Sequence, residues 1–259
     1  MRYADKSQAH DDSRAKTGLA RALSKLGFCS RSRAAQLIRA GKVRVNGAIR
    51  RDAETPVRLG KDRIEVDGQR IAASEKTYLM LNKPRGIVTT AADEKGRETI
   101  YKYLSEDLPW VAPVGRLDKA SEGLLLLTND SEWAARVTAP ETHLEKTYHV
   151  QIAKIGDAAL VSTVKNGVRT TEGDFLRVKE AALLRQGERN SWLEIILDEG
   201  KNRHIRRMLE ALGVEALRLI RVAIGPLPLG DLPKGAVRKL TAEEKLSLDH
   251  GMRDSSRVG

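Results

Sequence analysis

The 259-residue chain is 41% hydrophobic and 31% charged, and its 46 Lys and Arg against 35 Asp and Glu give a formal net charge of +11. That length can bury a core, no run reaches the roughly 18–20 apolar residues of a membrane span, and the basic excess favours a polyanionic partner such as nucleic acid. One cysteine excludes an internal disulfide framework, the five histidines show no common metal spacing, and no GxxxxGK[ST] or GxGxxG loop is present, so neither cofactor nor metal is expected.

Residues 1–17 are polar and lack the apolar stretch of a signal peptide; a disordered leader on a cytoplasmic protein is expected. Residues 18–72 read as a compact unit. Leu19, Leu23 and Leu26 mark one helical face that stops at Gly27. Ser30 can cap a second helix carrying Ala34, Leu37 and Ile38, which Gly41 ends. Val43 and Val45 alternate with Lys42 and Arg44 ahead of the hairpin signal Asn46-Gly47, and Ile64 and Val66 lead into Asp67-Gly68. Between Gly18 and Arg51 stand nine Lys or Arg and no acidic residue. A solvated basic face has the same composition, but a helix pair and hairpin this one-sided repel themselves without an anion. Arg21, Lys25, Arg31, Arg33, Arg39, Lys42 and Arg44 are the candidate contacts to it.

Beyond a polar connector at 72–76 the pattern becomes short strand-like runs at 78–81, 124–128, 146–152, 192–197 and 216–224. Helical periodicity appears near 131–139, 157–165 and 203–212. Strands outnumber helices and the connections are turn-rich, which predicts an α+β domain on a mixed, mostly antiparallel sheet over 77–248. Residues 249–259 read as a disordered tail.

Three segments of this domain can carry chemistry. In GRLDKASEGLLLLTND (115–130) an apolar strand anchors a loop bearing Arg116, Asp118, Lys119, Ser121 and Glu122, a rigid mount for reactive groups. Asp118 taken alone reads first as a turn-forming or helix-capping aspartate. In EKTYHVQI (145–152) alternation puts Lys146, Tyr148, Val150 and Ile152 on one face, so Tyr148 is either a core tyrosine or a platform for a nucleobase. In EGKNRHIRRMLEALG (199–213) Ile205, Met208, Leu209 and Leu212 form a buried stripe. Lys201, Arg203 and Arg206 sit at that helix's start, which suits a phosphate or carboxylate as well as a solvated charged face.

Together with NKPRGIVTT (82–90) and LRLIRVAIGP (217–226), these segments resemble, in order and spacing, the RsuA/RluB-type branch of the pseudouridine synthases over residues 78–248. The region 18–71 is similar to an S4 RNA-binding domain. The resemblance implies that Asp118 is the catalytic carboxylate and that Arg206 forms an ion pair with it. It implies that Tyr148 and Leu219 pack on the target uracil, and that Arg116 holds the flipped uridine's place or touches the adjacent phosphate. Lys83, Lys201 and Arg203 are then expected on phosphates. The implied reaction, turning uracil so that C5 replaces N1 on the sugar, gains and loses no atoms and needs no cofactor. The implied substrate is ribosomal RNA or a ribosome-assembly intermediate, large-subunit RNA favoured over small-subunit RNA, acted on by a monomer. Two positions depart from the family pattern: His204 where glutamine is more frequent, and Ser131 where glycine is. The rival readings are a non-catalytic S4-type RNA-binding or ribosome-assembly protein, and a hydrolase pairing Asp118 with Glu122.

Overall fold

A computed structural model of the chain describes residues 16–90 and 96–254. Most of the expected leader and the last five residues of the expected tail lie outside the described residues. The chain divides into two compact units: residues up to Lys76 with Pro109–Val111, and Thr77–Leu108 with the chain from Ala112 onward.

The first unit runs β1 (Thr17–Gly18), α1 (Leu19–Lys25), α2 (Arg31–Arg39), β2 (Val43–Val45), β3 (Ala48–Arg50), β4 (Pro56–Val57), β5 (Ile64–Val66) and β6 (Gln69–Arg70). Thr17, expected in the leader, pairs instead with Val57. The Ser30 side chain accepts a hydrogen bond from Arg33 N at 3.1 Å and caps α2 as its sequence implies. Asn46 and Gly47 both take positive φ, 51° and 83°, which the twist of a two-residue hairpin demands of its turn. Strands order as β3-β2-β5-β6, and Val43, Val45, Ile64 and Val66 turn inward onto Leu19, Leu23, Leu37 and Ile38.

The second unit runs β7 (Tyr78–Lys83), β8 (Ala112–Val114), β9 (Glu122–Thr128), α3 (Ser131–Thr138), β10 (Lys146–Ile152), α4 (Ala158–Asn166), β11 (Val168–Arg169), β12 (Phe175–Leu176), β13 (Glu180–Gln186), β14 (Ser191–Leu197), α5 (His204–Ala211), β15 (Ala216–Ile224), β16 (Leu227–Pro228), β17 (Val237–Lys239) and α6 (Ala242–Asp254). A nine-stranded sheet orders them β13-β14-β10-β15-β9-β7-β17, with β16 on β15 and β8 on β9. Only the β9–β15 pairing is parallel among the described pairs of this sheet, so the mixed, mostly antiparallel α+β expectation holds.

β9 is buried along its whole length, each of its leucines, Leu124, Leu125, Leu126 and Leu127, being inaccessible to solvent. At about 1.5–3 kcal/mol per buried leucine this strand is a firm base for whatever precedes it. Two apolar clusters pack on the sheet. One joins Val150, Leu193, Ile195 and Leu219 to α4 and α5; the other joins Met80, Leu124, Leu126 and Ile224 to α3 and α6. Residues 249–254, expected in the tail, continue α6. Leu248 and Met252 plug the second cluster, and Asp249 accepts a hydrogen bond from the Trp133 indole Nε1 at 3.0 Å. Two apolar residues four apart and one buried carboxylate were too sparse a signal against the polar residues around them. No helix among the described residues is long and apolar enough to cross a membrane.

Candidate active site

The loop at 115–121 leaves β8 and enters β9, whose first residue is Glu122, two residues earlier than the apolar run suggests. It is strapped down from several elements. Thr89 Oγ1 donates to Leu117 O at 2.8 Å, Gly86 N to Lys119 O at 2.7 Å, and Ser121 N to Asp118 O at 3.0 Å. Lys83, the last residue of β7, contributes most: fully buried, its Nζ donates to the carbonyls of Pro84 (3.1 Å), Asp118 (3.2 Å) and Ser121 (2.9 Å). Burial pulls its pKa down to about 8, while the charges of Asp118 and Glu122 oppose the drop. The expectation of a phosphate contact at Lys83 is therefore corrected. A lysine with no exposed surface and three carbonyl partners organises the loop and does not reach a ligand.

Glu122 is also taken up structurally. Its buried carboxylate accepts from Arg218 Nε (3.0 Å) and Nη2 (3.2 Å) and pairs with Lys234. Burial alone would raise its pKa, but the bonds from Arg218 and Lys234 prevail and hold it below the usual glutamate range. A carboxylate committed to two cations cannot act as the acid–base partner of Asp118, so the paired-carboxylate hydrolase has no second group.

Asp118 is half-buried and opens onto a cleft of about 320 Å³. Val137 and Thr138, at the end of α3, wall one side; Ile205 and Arg206, at the start of α5, line it as well. The floor is sheet: Lys146 and Tyr148 from β10, with Leu219, Arg221 and Ile224 from β15. The cross-strand register sets Tyr148 beside Arg221 and Val150 beside Leu219. The cleft gathers Arg116, Asp118, Tyr148, Lys201, Arg203, Arg206 and Leu219, seven of the residues expected at the site, and leaves out Lys83. Tyr148 packs against the α4–α5 cluster and also lines the cleft.

Arg206 departs from expectation. Its Nη1 donates to Ala216 O and its Nη2 to Ala120 O, each at 3.0 Å, rather than to the Asp118 carboxylate. Arg206 thus ties β15 to the loop two residues past Asp118. Burial lowers its pKa first, Arg203 adds to the drop and the Asp118 charge opposes it. The two charges therefore sense one another without an ion pair. α5 starts at His204 from an N-cap, Arg203, in the left-handed region at φ 47° with no side-chain cap. For a residue with a Cβ that conformation costs about 1–2 kcal/mol, and it presents an exposed guanidinium at the cleft's edge. His204 is buried, and burial pushes its pKa down although Glu199, 3.6 Å away, pulls the other way.

Lys146 and Arg221 were not singled out by the sequence. Alternation placed Lys146 on Tyr148's face but gave it no role at the site. Arg221 needed the β10–β15 register, which two bulges shift. In the first unit Arg21, Arg31, Arg33, Arg39, Lys42 and Arg44 are exposed and Lys25 is half-buried. Lys42 lies 3.5 Å from Asp67, both well exposed, an ion pair worth little in water.

The RNA pseudouridylate synthase family matches residues 77–211, and the S4 domain family matches residues 17–64. Among curated relatives the chain is similar to "Ribosomal large subunit pseudouridine synthase B" of Bacillus subtilis (strain 168), 36% identical over 90% of this chain and 97% of that one. It is similar to "Uncharacterized RNA pseudouridine synthase" of Rickettsia felis, 39% identical over 86% of this chain and 96% of the relative. Among solved structures it matches "Crystal structure of pseudouridylate synthase" with a TM-score of 0.62 and 31% identity, over 90% of this chain and 99% of that one. With a loop-borne aspartate facing a cleft floored by a tyrosine and a leucine, and these matches across nearly its full length, the chain belongs to the RNA pseudouridylate synthases and carries an S4 domain ahead of the catalytic unit.

Proposed function

We propose that the chain converts one uridine of large-subunit ribosomal RNA to pseudouridine, working as a monomer in the cytoplasm on free RNA or an assembling particle. The relative from Bacillus subtilis carries the large-subunit designation. The observation that carries the site assignment is the convergence of Asp118, Tyr148 and Leu219 on one cleft with a basic edge.

In this reading the uridine leaves its stack, as base-acting enzymes require, and its ring lies between Tyr148 and Leu219. Asp118 is the catalytic carboxylate. Arg206 and Lys83 act through the backbone, holding Ala120, Asp118 and Ser121 so that the carboxylate meets the sugar or the ring in one orientation. Arg116, Lys201 and Arg203, all exposed, take the flanking phosphates. The exposed cations of the S4 unit grip RNA by its backbone, leaving the cleft to choose the base.

Bond formation between C5 and C1′ expels the hydrogen on C5, so RNA tritiated at C5 reports turnover directly. The full chain is expected to release tritium from large-subunit RNA, and Asp118→Asn to bind that RNA and release none. Release from small-subunit RNA alone would move the substrate, and release by Asp118→Asn would remove Asp118 from the chemistry.

A further inference from the structure

Four residues lining the cleft carry buried polar side-chain atoms with no hydrogen-bond partner among the described residues: Ser121, His204, Arg206 and Arg221. Arg221 stands apart. It is only 5% exposed, its Nε is anchored to Leu124 O at 2.7 Å, and its Nη2 is left without a partner. Its neighbour Lys146 is a second cation, whose pKa is lowered by burial and then by the charge of Arg221, with Asp198 opposing. Asp118, Asp198 and Glu199 line the same cleft, but among the described residues none of them forms an ion pair with Arg221. Arginine keeps its proton when buried, so a guanidinium nitrogen left there without an acceptor is costly.

The position says what the charge is for. Arg221 is the cross-strand partner of Tyr148, and its anchor on Leu124 draws the guanidinium toward the foot of the loop that bears Asp118. Arg116, Lys201 and Arg203 line the cleft as exposed cations, whereas Arg221 lines it almost fully buried and directly beside Tyr148. When the N1–C1′ bond breaks, its electron pair stays with uracil, and the resulting anion spreads its charge over the ring nitrogen and the carbonyl oxygens, while C1′ is left as an oxocarbenium centre whose charge the Asp118 carboxylate offsets. The base then turns, the ring's electron pair at C5 bonds to C1′ and quenches both charges, the C5 proton passes to solvent and N1 takes up a proton from solvent, so atoms and charge balance. The negative charge is greatest between the two bonding events, the moment at which a preorganised donor in a water-poor site is most effective.

We propose that Arg221 is a further catalytic residue, whose buried guanidinium donates to a carbonyl oxygen of the target uracil and stabilises the anion formed when the base leaves the sugar. This deepens, and rests on, the assignment of the cleft to uridine isomerisation.

The test uses the full chain as wild type, Arg221→Lys and Arg221→Gln, with C5-tritiated RNA under single turnover, RNA affinity and thermal melting measured alongside. Loss of turnover by the glutamine variant of about 100-fold or more, at RNA affinity within about twofold, with lysine recovering at least about tenfold, is the expected result. Equal turnover in all three proteins overturns the proposal, as does a loss in both variants that merely follows lost folding or affinity. A second measurement keeps the wild-type fold: the target uridine is replaced by its 2-thio or 4-thio form, sulfur being the weaker acceptor. One of the two substitutions should slow the wild type and leave Arg221→Gln, which has lost the charged donor, no slower than it already is; no difference between the proteins on either RNA refutes the contact. Wild type that releases no tritium at all would instead contradict the assignment of the cleft itself.

Discussion

Replacing Lys83 with methionine separates the two jobs that a buried lysine does in this fold. A pKa held near 8 in place of 10.5 means that the charged form carries a burial cost of about 3 kcal/mol, relieved when methionine takes its place. Against that, the carbonyls of Pro84, Asp118 and Ser121 lose their donor, at about 2 kcal/mol each. The net loss of stability is therefore modest, about 3 kcal/mol, and the protein remains folded. Activity should suffer far more: a displacement near 1 Å in the Asp118 backbone is enough to cost about 100-fold in turnover. The same geometry sets a pH dependence. Because the folded pKa lies below the unfolded one, the burial cost is fully present below about pH 8 and fades as pH rises toward 10.5, so this group makes wild type more stable across that window. Turnover moves the opposite way, since a neutral amine has two hydrogens for three carbonyls and the loop loosens. Urea unfolding and single-turnover tritium release, each followed from neutral pH to about 10, measure both trends. Lys83→Met with turnover near wild type, or wild-type turnover that stays flat above pH 8, would refute the reasoning.

Glu122→Gln should destabilise the catalytic unit by about 1 kcal/mol, because the carboxylate is buried but Arg218 and Lys234 remain partly exposed and solvated. The glutamate's lowered pKa contributes stability above the unfolded value of about 4.5 that is lost as pH falls through the folded one; acid unfolding of the glutamine variant should lack that slope. Gly123→Ala places a Cβ 2.3 Å from Arg221 O at a φ of +101°, and urea unfolding should reveal a loss above about 4 kcal/mol or no folded protein. Changing Arg21, Arg31, Arg33 and Arg39 together to glutamine should weaken RNA binding and flatten the plot of log Kd against log salt by up to about 3, each phosphate contact contributing about 0.7–0.9. An unchanged slope would remove these arginines from the RNA interface.

Periodicity and turn chemistry carried much of the fold. The two helices of the S4 unit, the Asn46-Gly47 turn and the buried run of β9 each follow from local residues. What stayed hidden depended on partners distant in sequence. β13 is an edge strand whose exposed Leu183 and Leu184 break any alternation, and α6 is held by Leu248, Asp249 and Met252 meeting Trp133 and β-sheet residues far upstream. At the cleft, Asp118 and Tyr148 stood out only through the family resemblance, since each alone reads as a turn or core residue, and the resemblance did not say what their neighbours do. Lys83, Glu122 and Arg206 read as ligands or acid–base groups because charge suggests solvent or substrate. Tertiary structure instead commits each to backbone carbonyls or counter-ions. Arg221 was invisible because its burial and its place beside Tyr148 come from a bulged register that no local pattern encodes.

In the proposed function Asp118 drives pseudouridine formation at a site in large-subunit ribosomal RNA. The direct measurement is a pseudouridine map of total ribosomal RNA from cells lacking the gene, complemented with wild type or with Asp118→Ala. One pseudouridine in large-subunit RNA should be missing, restored by wild type and not by the alanine variant. An unchanged map, or full restoration by Asp118→Ala, would contradict that function.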